Sequence, residues 1–167
     1  MNFVIIEGAG GILCLKYFIK MIFFHVMQEQ GITLSEWQKQ QFSIYKDMLV
    51  EWNQKMNLTA IVDEDEIYEK HFLDSILPSF DINIKGSFCD VGAGAGFPSI
   101  PLKIVYPELK ITIVETLGKR VTFLKALCEA LKLDDVACVH ARAEDYANNI
   151  GKVLILSVQG QWQICLC

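Results

Sequence analysis

An α/β fold around a parallel sheet with right-handed crossovers is predicted by three observations. Three short apolar or β-branched runs occur in order, at Ser87–Val91, Lys110–Glu115 and Val136–His140. Helical apolar spacing fills the stretches between them, over Pro98 to Val105 and over about Lys119 to Leu131. A glycine-rich turn follows the first run directly. Strands that alternate with helices pair in parallel, because each crossover helix packs back onto the sheet with one hand.

The elements before the sheet are read from their own signals. Phe3 to Val26 is strongly apolar, but Glu7, Lys16 and Lys20 interrupt it, and neither a basic leader nor a small-residue cleavage site accompanies it. A membrane anchor is therefore not expected, and residues 1–30 are set apart as a segment of uncertain origin, with a natural start near Met27 as one explanation. From Thr33 the pattern becomes helical. Thr33-Leu34-Ser35-Glu36 supplies a capping hydroxyl and an early acid, so a helix is predicted from about Ser35 to Asn53 with Trp52 on its apolar stripe. Asp63-Glu64-Asp65-Glu66 then opens a second helix carrying Ile67, Tyr68, His71, Phe72 and Ile76, which Pro78 closes. Residues 31–84 thus form a helical extension, 85–150 the start of the sheet domain, and 151–167 a tail of different texture.

Composition sets outer bounds. The 167 residues suffice for one domain with a core, and 21% charged with 11% aromatic residues is the make-up of a globular chain. A net charge of −5 argues against nucleic-acid binding by bulk electrostatics and leaves room for a local basic surface. Cys14, Cys89, Cys128, Cys138, Cys165 and Cys167 form no CxxC pair or zinc spacing, so reduced thiols in a cytoplasmic protein are expected, with no metal.

The chemistry concentrates at the turn Asp90-Val91-Gly92-Ala93-Gly94-Ala95-Gly96. Gly92, Gly94 and Gly96 stand after a strand and before a helix, where bare backbone admits a ligand and the helix end offers free N–H groups. Such a turn holds nucleotide-type cofactors, although dinucleotide-binding proteins use a neighbouring spacing and some glycine turns serve geometry alone. Glu115 ends the second strand about twenty residues on, where an acid can accept both hydroxyls of an adenosine ribose. After the third strand, Arg142-Ala143-Glu144-Asp145 adds acids to the same carboxyl edge of the sheet.

Four motifs in order carry a resemblance. Trp52-Asn53 to Asn57-Leu58-Thr59, Lys70-His71-Phe72-Leu73-Asp74-Ser75, the run Asp90 to Lys103, and Arg142-Ala143-Glu144-Asp145 resemble the glucose-inhibited division protein B family over about Gly31 to Ala147. Members of that family are bacterial 16S ribosomal RNA guanine-N7 methyltransferases. The resemblance implies a Rossmann-like class I S-adenosylmethionine-dependent methyltransferase fold with a helical amino-terminal extension, and a cytoplasmic, monomeric protein acting on 16S ribosomal RNA or the small ribosomal subunit. It also implies that Gly92 and Phe97 line the cofactor, Glu115 holds its ribose, and Ala143 with Glu144 contacts the adenine. His71 and Asp74 fit either a catalytic role or an anchor between extension and loop, and the anchor is favoured because a helix-borne histidine is often simply packed.

The likeness fades near Ile150, after three strands of the roughly seven that the class has. With suitable codons, a frame displaced by one base in Lys152–Cys167 encodes something like a fourth strand and an Arg-Ala-Val-Ala motif. A truncation or frameshift near Gly151 is therefore expected, with an unpartnered sheet edge and little activity. The competing expectation is a non-catalytic fragment that binds a nucleotide or a partner.

Overall fold

A computed structural model describes the backbone of residues 11–150, 154–158 and 161–166, and the side chains of residues 19–146. Two helices come first, α1 (Gly11–Glu29) and α2 (Glu36–Met56). Ser35 caps α2 as its hydroxyl predicts: Oγ accepts from the Gln38 N–H at 3.2 Å, and Gln38 Oε1 accepts from the Ser35 N–H at 2.8 Å. Asn57, at φ 51°, ends the helix in the left-handed conformation, and the helix runs past the predicted end at Asn53.

The second predicted helix is a composite. It begins as α3 (Glu64–Glu66), capped by Asp63, widens into a π-helical segment (Ile67–Leu73), returns to α4 (Asp74–Ile76) and tightens into a 3-10 turn (Leu77–Phe80). The Asp74 N–H bonding to the Glu69 carbonyl marks the wide turn. Pro78 sits inside the closing 3-10 turn and does not end the run, because that turn needs no N–H from it.

The sheet domain follows as β1 (Ser87–Val91), α5 (Ser99–Val105), β2 (Lys110–Glu115), α6 (Gly118–Ala130), β3 (Val136–His140) and α7 (Ala143–Ile150). Two further strands, β4 (Leu154–Val158) and β5 (Gln161–Leu166), complete an order of β3-β2-β1-β4-β5. β1, β2, β3 and β4 run parallel, while β5 is antiparallel to β4. The expected bare edge on β1 is thereby corrected: Cys89 and Asp90 pair with Ile155 and Leu156. The apolar run Leu154-Ile155-Leu156 serves as a strand because the free N–H and C=O row of β1 is left otherwise unsatisfied.

One core joins the helical extension to the sheet. Phe42, Tyr45, Leu49, Phe72 and Ile76 belong to the same buried cluster as Ile100, Ile113, Phe123 and Leu124. The amino-terminal segment contributes too, since Phe23 and Met27 are buried in it. Phe23 meets the rings of Phe42 and Tyr68 edge-on at 5.1 and 5.5 Å. Among the described residues no helix is long and apolar enough to cross a membrane.

Candidate functional site

The loop after β1 is shaped by its own hydrogen bonds. Gly92 N–H continues the ladder to the Val114 carbonyl at 2.8 Å, and the N–H groups of Gly96 and Phe97 both turn back to the Ala93 carbonyl, at 2.9 and 3.1 Å. All three glycines take positive φ, 77°, 60° and 101° for Gly92, Gly94 and Gly96. Their surroundings differ. Among the described residues a Cβ added at Gly92 or Gly94 meets nothing within 4 Å, whereas one at Gly96 lies 2.8 Å from Ile100 Cγ1 and 2.9 Å from the Tyr45 hydroxyl. Gly92 and Gly94 therefore border open space, and Gly96 is pressed into the core.

Glu115 closes the loop from the side. Its Oε2 accepts from the Gly94 N–H at 3.2 Å, and its Oε1 accepts from the Leu117 N–H at 3.0 Å and from the Thr116 hydroxyl at 3.3 Å. Arg120 lies over the same carboxylate, with Nη1 3.6 Å from Oε2. The acid is 2% exposed, and these donors with the guanidinium beside it satisfy its buried oxygens. Leu117, 53% exposed, stands at the rim as an apolar surface with no core to fill. Across β3, the Ala141 N–H bonds to the Glu115 carbonyl at 3.2 Å, which brings the start of α7 to this edge. There Ala143 is half-buried and Glu144 exposed.

Beneath the loop lies Asp90, fully buried. Its Oδ2 accepts from the Ser99 hydroxyl, and its Oδ1 has no partner among the described residues. Burial, opposed only in part by Ser99, pushes this carboxyl up to about 7. The sequence named Asp90 only as the first residue of the turn, and no spacing rule separates a buried acid from a solvated one. A raised acid pKa means that the folded state holds a proton that the unfolded chain has released. The resulting stabilisation is complete below about pH 4 and is lost as the pH rises toward about 7. Asp90→Asn, which cannot ionise, is expected to flatten the rise in urea midpoint seen on going from pH 8 to pH 5. An unchanged slope would rule Asp90 out as its source.

The helical extension reaches the loop through a stack of rings. Phe97 lies between Tyr45 and His71, with ring centroids 5.3 and 4.4 Å away and interplanar angles of 12° and 14°. The Tyr45 hydroxyl donates to the Ala95 carbonyl at 2.7 Å. His71 Nε2 is hydrogen-bonded to Thr59 Oγ1 at 2.8 Å, and the Thr59 N–H donates to Asn53 Oδ1 at 2.9 Å. Burial lowers the His71 pKa. Asn53, Thr59 and His71, from two of the four sequence motifs, thus form one relay that ends on Phe97. Asp74 is exposed at the start of α4 and lies outside that relay.

The profile of the family described as rRNA small subunit methyltransferase G matches residues 38–157. A protein named ribosomal RNA small subunit methyltransferase G from Staphylococcus epidermidis is 61% identical over 126 residues, covering 74% of this chain and 53% of that protein. The protein of the same name from Oceanobacillus iheyensis is 58% identical over 129 residues, covering 76% of this chain and 54% of its own length. The chain spans about half the length of the curated relatives it matches. Among solved structures, a precorrin-6y C5,15-methyltransferase from Geobacter metallireducens is a distant likeness. Its TM-score is 0.43 and its identity 17%, over 52% of this chain and 49% of that one.

Proposed function

Because the chain belongs to the rRNA small subunit methyltransferase G family, we propose that it binds S-adenosylmethionine at the glycine loop and serves N7 methylation of a guanine in bacterial 16S ribosomal RNA. The observation that carries this is the hydrogen bond from the Gly94 N–H to Glu115, which ties the open glycine loop to a buried acid at the carboxyl ends of β1 and β2. Ligands of open α/β sheets bind at that edge.

The donor and acceptor set suits the cofactor. Gly92 and Gly94 offer backbone at open space, Glu115 offers a carboxylate for ribose hydroxyls, and Asp90 Oδ1 is an acceptor without a donor among the described residues. Leu117 and Ala143 give apolar surface for an adenine, with Glu144 beside it. Gly96 and Phe97, expected among the cofactor-binding residues, would serve the site by supporting the loop from behind, Gly96 against Ile100 and Phe97 between Tyr45 and His71. The Glu115 carboxylate would hold the ribose hydroxyls at the side where the Thr116 hydroxyl and Arg120 now lie against it, at 3.3 and 3.6 Å.

S-adenosylmethionine, when bound, supplies an electrophilic methyl group on a sulfonium. A guanine N7 carries an exposed lone pair, so the side chains need not remove a proton before transfer. Their task is to hold the two reactants in line and to exclude water, which supplies most of the acceleration for such a step. The target base has to be unstacked or single-stranded for N7 to approach. The proposed setting is the cytoplasm, where ribosomal RNA is found, and the proposed state a monomer.

Calorimetry with S-adenosylhomocysteine is expected to show binding and calorimetry with NAD none. Glu115→Gln keeps the shape and removes the charge, and it should weaken S-adenosylhomocysteine binding by about tenfold or more. Incorporation of labelled methyl into small-subunit RNA lacking N7 methylation tests the reaction itself. Absence of S-adenosylhomocysteine binding, or unchanged affinity in Glu115→Gln, would overturn the assignment.

A further inference from the structure

His140 is the last residue of β3 and the register partner of Glu115 on β2. Its Nε2 lies 2.8 Å from the carbonyl oxygen of Thr116. A carbonyl only accepts, so the hydrogen of this bond is on Nε2. The ring also lies against Gly118, where a Cβ would sit at an ordinary contact distance of 3.4 Å from Cε1. The turn from Thr116 to Gly118 is thus gripped from two sides. On the inner side the Glu115 carboxylate accepts from the Leu117 N–H, and on the outer side His140 donates to the Thr116 carbonyl.

We propose that His140 is a positioning residue, which holds the turn at 115–118 in the conformation that presents the Glu115 carboxylate and the Leu117 side chain to the adenosine half of the cofactor. The proposal rests on the assignment of Glu115 and Leu117 to that ligand. His140 is exposed, so losing its bond should move global stability little. The loss falls instead on the local order of the turn, and a ligand that needs the turn ordered must then supply the ordering free energy from its own binding.

The test uses the full chain and two variants. His140→Phe keeps a flat ring over Gly118 and removes the donor, whereas His140→Gln keeps a donor of similar reach. Binding of S-adenosylhomocysteine and of adenosine is measured by calorimetry, amide exchange at 116–118 by mass spectrometry, and stability by thermal melting. His140→Phe is expected to weaken both ligands about tenfold, the worth of one hydrogen bond. It should also speed exchange of the turn and leave the melting temperature within about 2 °C. His140→Gln should recover most of the affinity and the protection. Unchanged affinity in His140→Phe, or equal losses in both variants, would overturn the proposal. If the natural chain binds neither ligand, the assignment of the cofactor falls by itself. Exchange then decides the clamp: unchanged protection in His140→Phe overturns it, and faster exchange upholds it.

Discussion

Gly96→Ala is expected to lower the stability of the domain by about 2–5 kcal/mol. About 1–2 kcal/mol comes from forcing an L side chain into positive φ and about 1–3 from overpacking. The new methyl would press on Ile100 Cγ1, on the Tyr45 hydroxyl and, at 3.1 Å, on Leu124 Cδ2, so it displaces a crossover helix, the helical extension and α6 together. None of the three is the loose end of an exposed side chain, since all are buried. Urea unfolding checks the result through a lower midpoint at constant slope. The same change at Gly94 makes the informative contrast. A Cβ there meets nothing among the described residues, so only the backbone term applies, but it enters the space assigned to the cofactor. Gly94→Ala should therefore lose S-adenosylhomocysteine affinity out of proportion to its stability. Equal stability losses at the two positions would show that the loop's glycines are not divided in this way.

Phe23→Ala is expected to cost about 3–5 kcal/mol, the range for emptying a buried aromatic site. Phe23 is 2% exposed, and its ring lies 5.1 Å from Phe24 and Phe42 and 5.5 Å from Tyr68. The cavity would open where α1, α2 and the π-helical segment meet, and those rings cannot collapse into it without leaving their other partners. Phe42 also packs on Phe72 at 5.1 Å, and Phe72 in turn lies 5.2 Å from Tyr45, which supports the loop. A version of the chain begun at Met27 loses the same ring together with Ile19, Lys20 and Phe24, and should show a loss at least as large. A midpoint unchanged by Phe23→Ala would detach α1 from the fold.

Much of the architecture was legible locally. The three predicted strands fall where the apolar runs lie, Ser35 caps α2, and helices follow β1 and β2 as their spacing predicts. Such features depend on neighbours a few residues away, which sequence displays directly. The π-helical widening at Ile67–Leu73 was not legible, because over seven residues its apolar spacing does not differ from that of an α-helix. β4 was not read from the tail either, since a strand of five residues is defined by the edge it completes.

The glycine loop itself shows where the division lies. The sequence by itself determined that a glycine-rich turn follows β1, that an acid ends β2, and that four ordered motifs place the chain in one methyltransferase family. Backbone conformation and motif order are written in residue types at short spacing, so no fold was needed for that. Only the tertiary structure decided that, among the described residues, Gly96 faces the core while Gly92 and Gly94 face open space, that Asp90 is buried with one oxygen lacking a partner there, and that His71 packs on the loop through Phe97. Those distinctions depend on which distant side chains arrive beside each residue: Tyr45 from α2, Leu124 from α6 and His71 from the π-helical segment. Long-range packing alone brings them there.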